Sequence, residues 1–221
     1  RAQNYLVAEI AKSLCGEYHK STRMIVAEAG TGIGKSLSYL MAAIPVALFN
    51  NRKVVISTAT VALQEQLINK DLPLYRRLFD REFSFILAKG RQRYCCAEKL
   101  AAACGADGGQ MAMFDSKPKR KDIEQLELMY KKLAQNKWDG DRDSWPKPIS
   151  DEIWQSIVSD KHSCNRQLPS HQGCPFHKSR EMVDKLDVLI VNHSLLLADL
   201  DLGGGKILPE PDSMFYVIDE A

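Results

Sequence analysis

Residues 24–36 read Met24-Ile25-Val26-Ala27-Glu28-Ala29-Gly30-Thr31-Gly32-Ile33-Gly34-Lys35-Ser36. The four apolar residues at the start predict a short buried strand, and the apolar spacing from Lys35 to Phe49 predicts a helix. Glycines between a strand and a helix let the backbone curl so that successive N–H groups point inward. Together with the positive end of the helix, these groups bind phosphate oxygens. The sequence therefore predicts a phosphate-binding loop, or P-loop.

Two residues of this loop carry its chemistry. In a P-loop the lysine, here Lys35, reaches the β- and γ-phosphates, and the following hydroxyl, here Ser36, binds Mg²⁺. The competing interpretation is a glycine-rich turn that binds no nucleotide. We predict that ATP contacts the whole loop, which comprises Ala29, Gly30, Thr31, Gly32, Ile33, Gly34, Lys35 and Ser36.

A second apolar run, Phe215 to Ile218, ends in the carboxylates Asp219 and Glu220. A P-loop needs an acidic partner at the end of another strand. We therefore expect Asp219 to support Mg²⁺, and Glu220 to orient and deprotonate the attacking water. Many strands end in acids, so the functional interpretation depends on the simultaneous presence of Lys35 and Ser36.

Strands and helices alternate in the two outer parts of the chain. Further apolar runs at 53–57, 83–88 and 188–191 predict strands. This pattern indicates an α/β domain with a parallel sheet and helices on both faces. The pattern breaks at about Gly90, so the predicted organisation is an α/β domain from 1–89 and 181–221 with a mostly helical, cysteine-containing domain inserted at 90–180.

Composition excludes several classes of protein. The 30 basic and 28 acidic residues leave a net charge of +2, too small to argue for a nucleic-acid partner. We find no apolar run long enough to span a membrane. Six cysteines without an export signal indicate a reducing cytosol rather than disulfides, and their grouping in one part of the chain suggests a metal. Cys15, on the apolar face of a helix predicted at 3–15, is expected to be a core thiol.

Several segments resemble superfamily-two helicases of the XPD type, and most closely the bacterial DinG helicases. They occur in the family's order along the chain: 28–36, 57–67, 89–96, 191–196 and 219–221, with 137–140 and 174–176 in addition. The resemblance covers essentially the whole chain. It implies a RecA-like P-loop NTPase motor domain with an inserted iron–sulfur domain. It also leads us to expect a fragment of a longer protein, ending inside a DEAH box and without the second motor domain.

The resemblance further implies an ATP-dependent DNA helicase of 5′→3′ polarity that acts in DNA repair, on R-loops or damaged forks. Expected partners are single-stranded, forked or R-loop DNA and a single-stranded-DNA-binding protein, in the bacterial cytoplasm at the nucleoid and not at a membrane. Alternatives are a YoaA-type helicase and a redox-sensing nucleic-acid-binding module with a vestigial ATPase. The implied adenine contact is Gln3, and the implied DNA contacts are Ser57, Thr58, Thr60, Arg91, Arg93 and Tyr94. Each group has a competing interpretation. Gln3 could be a solvated glutamine, Ser57, Thr58 and Thr60 could cap a helix, and the basic residues Arg91 and Arg93 could form a solvated face.

The resemblance also implies a [4Fe–4S] cluster, for which Cys96, Cys164 and Cys174 match the family's ligands. The chain departs from the family at the remaining ligand, because Leu168 falls near the position where a cysteine is expected. Candidates for this ligand are His171, Cys95 and Cys104, and it could also be missing. The alternatives are a metal-free insertion and a Zn²⁺ site built from Cys164 and Cys174 with the histidines His162, His171 and His177.

Overall fold

The structure is a computed structural model that describes residues 2–30, 32–105, 120–164, 167–171 and 173–220. Its contacts divide the chain into two compact units, Arg1–Lys89 with Met182–Ala221, and Gly90–Glu181. The described helices are α1 (Ala2–Cys15), α2 (Lys35–Phe49), α3 (Val61–Gln66), α4 (Leu72–Leu78), α5 (Ala97–Ala103), α6 (Arg120–Ala134), α7 (Asp151–Ile157), α8 (Pro175–Val183) and α9 (His193–Asp201). The strands are β1 (Lys53–Thr58), β2 (Phe85–Leu87), β3 (Val188–Asn192) and β4 (Met214–Ile218). Within these ranges no helix has the length and apolar character needed to cross a membrane.

The first unit is built on a four-stranded parallel sheet in the order β2-β3-β1-β4. In the central strand, Val54 pairs with Val188 on one side and with Phe215 on the other. Residues 54–58 of β1 are all buried, as expected for a parallel strand covered on both faces. The strands predicted at 53–57, 83–88, 188–191 and 215–218 are confirmed, although β2 is shorter than its apolar run.

Helices cover both faces of this sheet. On one face, Val54 and Ile56 pack with Leu40 and Ile44 of α2. On the other face, the alternate residue Val55 belongs to a second apolar cluster, which includes residues of α9. This division follows from the period of two along a strand. The predicted α/β class, with helices on both faces of a parallel sheet, is confirmed.

Two predictions for the first unit are wrong. Residues 24–27 form no strand, and Met24 and Val26 are 73% and 91% exposed. A buried strand needs a neighbouring strand and apolar cover on its faces, and residues 24–27 have neither. Among the described strands, β4 pairs with β1 alone. Cys15 is exposed rather than in the core. It is the last residue of α1, about 100° around the helix from the buried Leu14.

The second unit has its own core between α5, α6 and α7. Leu126, Met129 and Ile157 are fully buried there. Three tryptophans, Trp138, Trp145 and Trp154, belong to the same core. Their indole rings therefore contribute to the packing of this unit.

Candidate nucleotide site and cysteine cluster

The loop that leads into α2 has the geometry of a phosphate-binding turn. Gly34 is the N-cap of α2 and has a left-handed backbone, with φ of 85°, and Gly32 has φ of 82°. Such angles strain any residue with a Cβ, which explains the glycines at these two positions. Lys35, at the start of the helix, is exposed, and Ser36 is half-buried. Backbone N–H groups at a helix start lack intrahelical partners, so this end of α2 suits an anion. Thr31 lies outside the described residues.

Gln3 lies beside this turn. A Cβ built at Gly34 would stand 2.9 Å from Nε2 of Gln3, so the amide of Gln3 occupies the space that a side chain at residue 34 would need. Any side chain at residue 34 would therefore displace Gln3 in addition to straining the turn. The structure places this predicted adenine contact next to the P-loop.

Asp219 follows β4 and approaches the start of α2. Its backbone N–H donates to the carbonyl of Ser57 at 2.9 Å. The hydroxyl of Tyr39 donates to Asp219 Oδ2 at 3.1 Å. Burial, and then the negative charge of Asp219, raise the pKa of Tyr39 well above its usual value. Tyr39 therefore remains a hydrogen-bond donor to the carboxylate at any ordinary pH.

Sequence reasoning missed Tyr39. The residue lies four positions after Lys35 and three after Ser36, and such spacings place side chains on one helix face. Tyr39 is 7% exposed. This spacing was the available signal, because it predicts that Tyr39 shares a face with the phosphate-binding residues.

Replacing Tyr39 with phenylalanine should raise the Mg²⁺ concentration that half-saturates ATP hydrolysis about two- to twelvefold. The variant removes one hydrogen bond that holds the Asp219 carboxylate, and such a bond contributes about 0.5–1.5 kcal/mol. Mg²⁺ titrations of ATP turnover at saturating ATP measure the effect. Tyr75→Phe, at another buried tyrosine of the same apolar cluster, is the control. An equal shift in both variants would contradict a specific role for Tyr39.

Glu220 adopts a left-handed backbone conformation, with φ of 60°, which is uncommon for a residue other than glycine. Its N–H donates to Asp219 Oδ1 at 3.1 Å. The two carboxylate oxygens of Asp219 thus accept hydrogen bonds from different groups, the Tyr39 hydroxyl and the Glu220 N–H. Glu220 itself is exposed. The roles predicted for these two acids, Mg²⁺ binding and activation of water, remain predictions.

The hydroxyl residues at the end of β1 differ in exposure. Ser57 and Thr58 are fully buried. Oγ of Ser57 lies 2.6 Å from Nδ1 of His193, and Thr58 donates to the carbonyl of Thr60. Thr60 is exposed and caps α3 by accepting from the N–H of Leu63. Of the three predicted DNA contacts, Thr60 is the one whose side chain reaches the surface, and its capping role is confirmed.

The three predicted DNA contacts of the second unit have internal partners. Arg91 donates to the carbonyls of Asp160 and Cys164, at 3.0 and 3.1 Å, and its guanidinium lies 4.1 Å above the ring of Phe176. Tyr94 is buried in one cluster with Phe176. Arg93 pairs with Asp143, and its side chain is 43% exposed. A large part of the Arg93 side chain therefore lies at the surface.

Three metal-binding side chains converge in the second unit. The ligand atoms of Cys96, Cys164 and His171 all lie within 4.8 Å of one another, and all three residues are buried. The distance from Cys96 Sγ to His171 Nδ1 is 3.9 Å. Cys174 is fully buried and donates its N–H to the carbonyl of His171 at 3.0 Å, although it is not part of the close group. All six cysteines are free thiols.

The thiols of this group differ in acidity. Burial raises the pKa of Cys96 to about 12. Burial acts in the same direction on Cys164, but hydrogen bonds, among them those with the Asp160 backbone and the Ser163 hydroxyl, outweigh it and lower the pKa of Cys164. The thiolate is the form that binds metals. Of Cys96 and Cys164, Cys164 is therefore the thiol closer to the metal-binding form.

The turn that carries Cys164 is held from several sides. Asp160 forms an ion pair with Lys99 at 2.5 Å and accepts the backbone N–H groups of His162 and Ser163. The hydrogen bonds from Lys99 and Ser163 hold the pKa of Asp160 well below its usual range. The sequence analysis missed this support, because a single Asp in a polar loop carries no recognisable pattern.

The whole chain is similar in sequence to known helicases. It is 64% identical over 222 residues to the ATP-dependent DNA helicase DinG of Photobacterium profundum, a match that covers 100% of this chain and 32% of that protein. The DinG proteins of Salmonella choleraesuis and Escherichia coli K12 are 36% and 35% identical over 225 residues, covering 99% of this chain and 31% of each relative. The chain thus spans about a third of the length of these curated relatives. No protein-family model matches it.

A solved structure shares the fold. An XPD helicase matches with a TM-score of 0.52 and 16% sequence identity, covering 99% of this chain and 32% of the other. At this identity the likeness concerns the fold alone, and it agrees with the parallel sheet described above. Along its whole length the chain is thus a DinG-like sequence, and the resemblance predicted from its ordered segments is confirmed.

Proposed function

We propose that the full-length protein is an ATP-dependent DNA helicase and that this chain carries its ATP and Mg²⁺ site. One observation carries the proposal. The hydrogen bond between Tyr39 and Asp219 brings the acid that follows β4 to the helix that begins with Lys35 and Ser36. A phosphate-binding helix start and an acid at one edge of a parallel sheet form the arrangement of a nucleotide hydrolase.

The residues present fit this chemistry. A hydroxyl and a carboxylate, from Ser36 and Asp219, are the hard oxygen ligands that Mg²⁺ prefers. When bound, Mg²⁺ neutralises charge on the β- and γ-phosphates. Lys35 and the backbone N–H groups at the start of α2 hold the phosphates, and Gln3 binds the adenine. Glu220 orients the attacking water and accepts its proton.

The proposal also concerns how the protein contacts DNA. We infer that single-stranded DNA contacts Thr60 in the first unit and, as a separate site, Arg93 in the second. Thr60 is exposed, the Arg93 side chain is 43% exposed, and both suit phosphate contact. The other predicted contacts make interactions inside the protein and would hold Thr60 and Arg93 in position. They are Ser57, Thr58, Arg91 and Tyr94. Forked or R-loop DNA in repair, 5′→3′ polarity, a single-stranded-DNA-binding partner and a place at the bacterial nucleoid complete the proposal.

The second unit would hold a [4Fe–4S] cluster through Cys96, Cys164 and Cys174. These three cysteines are buried and free of disulfides, and Arg91 donates to the backbone carbonyl of Cys164 at 3.1 Å. Soft thiolate sulfur is the usual ligand of iron in such clusters. The donor chemistry therefore fits the group that the resemblance implies. The cluster would supply a rigid link between three separate segments of the unit.

Strand separation tests the proposed function. The full-length protein, purified without oxygen, is incubated with ATP and Mg²⁺ on two duplexes of equal length, one with a 5′ and one with a 3′ single-stranded tail. We expect ATP-dependent unwinding of the 5′-tailed duplex and little of the other. Hydrolysis without unwinding of either duplex would reject the helicase assignment, and preference for the 3′ tail would reject the polarity.

A further inference from the structure

Three metal-binding side chains of the second unit lie closer together than the ligands of a cluster. The ligand atoms of Cys96, Cys164 and His171 are all within 4.8 Å of one another, and Nδ1 of His171 lies 3.9 Å from Cys96 Sγ. A tetrahedral Zn²⁺ ion with Zn–S bonds of about 2.3 Å and a Zn–N bond of about 2.0 Å separates its ligand atoms by about 3.5–3.8 Å. Ligands on separate irons of a cluster stand farther apart, because the irons themselves are separated. The spacing in the structure therefore fits one metal ion.

We propose that Cys96, Cys164 and His171 bind a single Zn²⁺ ion when the second unit carries no cluster. Two cysteine sulfurs and one histidine nitrogen are a donor set that zinc accepts in proteins, and they leave a fourth position for water or another ligand. Cys96 and Cys164 are also ligands of the proposed cluster. Zinc and the cluster therefore exclude each other, and this exclusion alone rests on the proposed function. To admit the cluster, the two thiols would have to move apart.

The backbone around the ligands is held by hydrogen bonds. The N–H of Cys96, the N-cap of α5, donates to the carbonyl of Ile157 at 2.7 Å, and the N–H of His171 donates to the carbonyl of Leu168 at 2.9 Å. All three ligands are buried. Their segments are separate in the chain, so a single ion would join the start of α5, the loop after α7 and the turn Pro169–His171. Zinc would thus stabilise the second unit in the place of the cluster.

The other ring nitrogen of His171 supports this role. Nε2 is buried and makes no aligned hydrogen bond with the described residues, although Glu98 Oε2 lies 2.7 Å away. A histidine that binds a metal through one nitrogen usually donates the other N–H to a carboxylate, which fixes the ring and its tautomer. Glu98 lies in the first turn of α5, two residues after Cys96. The start of this helix therefore supplies both a ligand and the carboxylate that orients the histidine, after a small rotation of the ring.

Other candidate ligands lie outside this group. Cys174 is fully buried and donates its N–H to the carbonyl of His171, but its sulfur is not among the converging ligand atoms of the described residues. The histidines His162 and His177, which the sequence offers as zinc ligands, do not belong to the group either. The cluster and the zinc ion therefore require different residues beside the shared thiols, Cys174 for the cluster and His171 for zinc.

Zinc binding to the cluster-free protein tests the site. The full-length protein is purified without oxygen and analysed for iron and sulfide, and its cluster is then removed with an oxidant and a chelator. The protein is titrated with Zn²⁺ against a chromophoric chelator, and the zinc-loaded protein is studied by X-ray absorption at the zinc edge. We expect one tightly bound zinc per chain, with two sulfur neighbours at about 2.3 Å and the multiple scattering of one imidazole ring.

Two substitutions separate zinc from the cluster. His171→Ala should weaken zinc binding at least about 100-fold and remove the imidazole signal, because loss of the outer partner of a metal ligand alone costs about 10–100-fold. Cys174→Ser should leave the affinity for zinc unchanged, although it removes a ligand of the proposed cluster and should lower the iron content of the purified protein. His162→Ala, at an exposed histidine of the same segment, is the matched control and should change the binding of neither metal.

The outcomes distinguish this inference from the proposed cluster. Absence of iron and sulfide in the purified protein would reject the cluster, whereas the titration decides the zinc site in either case. Failure to bind one zinc, or a zinc with three sulfur neighbours and no imidazole, would overturn the inference. Equal losses of zinc affinity in Cys174→Ser and His171→Ala would also overturn it, since Cys174 would then be a ligand. The X-ray spectrum of the unmodified protein decides the ligand set even where His171→Ala does not fold.

Discussion

Replacing Lys35 with alanine in the full-length protein is expected to lower kcat/KM for ATP at least about 100-fold and to abolish DNA unwinding. Removal of one group that stabilises transition-state charge typically costs a factor of 10²–10³. Lys35 is the first residue of α2, directly after the left-handed Gly34. Its ammonium group is the side-chain charge that this helix start offers to the phosphates.

The same substitution should not harm folding. Lys35 is exposed, and the buried face of α2 is formed by other residues, among them Leu40, Ala43 and Ile44. Circular dichroism and thermal unfolding should therefore match the unmodified protein, while ATP turnover falls. Lys70→Ala, which removes an equally exposed lysine elsewhere in the first unit, is the control for a general loss of charge.

This experiment also separates the two classes of function. In the alternative of a redox-sensing nucleic-acid-binding module, the ATPase is vestigial. Lys35→Ala would then leave cellular function and DNA binding intact. Equal rates of unwinding before and after the substitution would contradict the proposed function, whereas loss of unwinding with retained DNA binding would support it.

The fold was largely predictable because its strands are apolar along their whole length. Val54 to Ile56 and Val188 to Val191 are buried on both faces, so their apolar runs and their fold agree. The run at 24–27 is also apolar throughout, but it is exposed and pairs with no strand. Whether an apolar segment forms a strand depends on its neighbours in the fold as well as on its own residues. The local sequence does not show which neighbours it will have.

The candidate site was predictable where a motif fixes the backbone. Gly32 and Gly34 have the positive φ angles that the P-loop pattern requires. The supporting residues were less predictable, since Tyr39 and Glu98 act through contacts with residues distant in the sequence. Comparison with the family's cysteine pattern identified Leu168 near the position where a cysteine is expected. It could not show that the turn buries the nearby His171 and leaves Leu168 exposed.

Replacing Glu220 with glutamine is expected to lower kcat for ATP hydrolysis by about 10²–10⁴, the usual contribution of a general base. The affinity for ATP should stay within about twofold, because Lys35 and Ser36 at the start of α2 are unchanged. Glu220 is exposed, and its backbone already has the left-handed conformation of the turn after β4. The amide keeps the shape of the side chain and removes its ability to accept a proton.

Two measurements on the Glu220→Gln variant separate catalysis from binding. Nucleotide affinity is obtained from titration with ATP and Mg²⁺, and kcat from the steady-state rate in the presence of single-stranded DNA. Asp212→Asn removes an equally exposed acid just before the other end of β4, and it should change neither value. A joint loss of affinity and rate would instead assign Glu220 to Mg²⁺ binding beside Asp219. Slow hydrolysis with intact affinity would establish separate roles for the two acids, with Asp219 binding Mg²⁺ and Glu220 activating water.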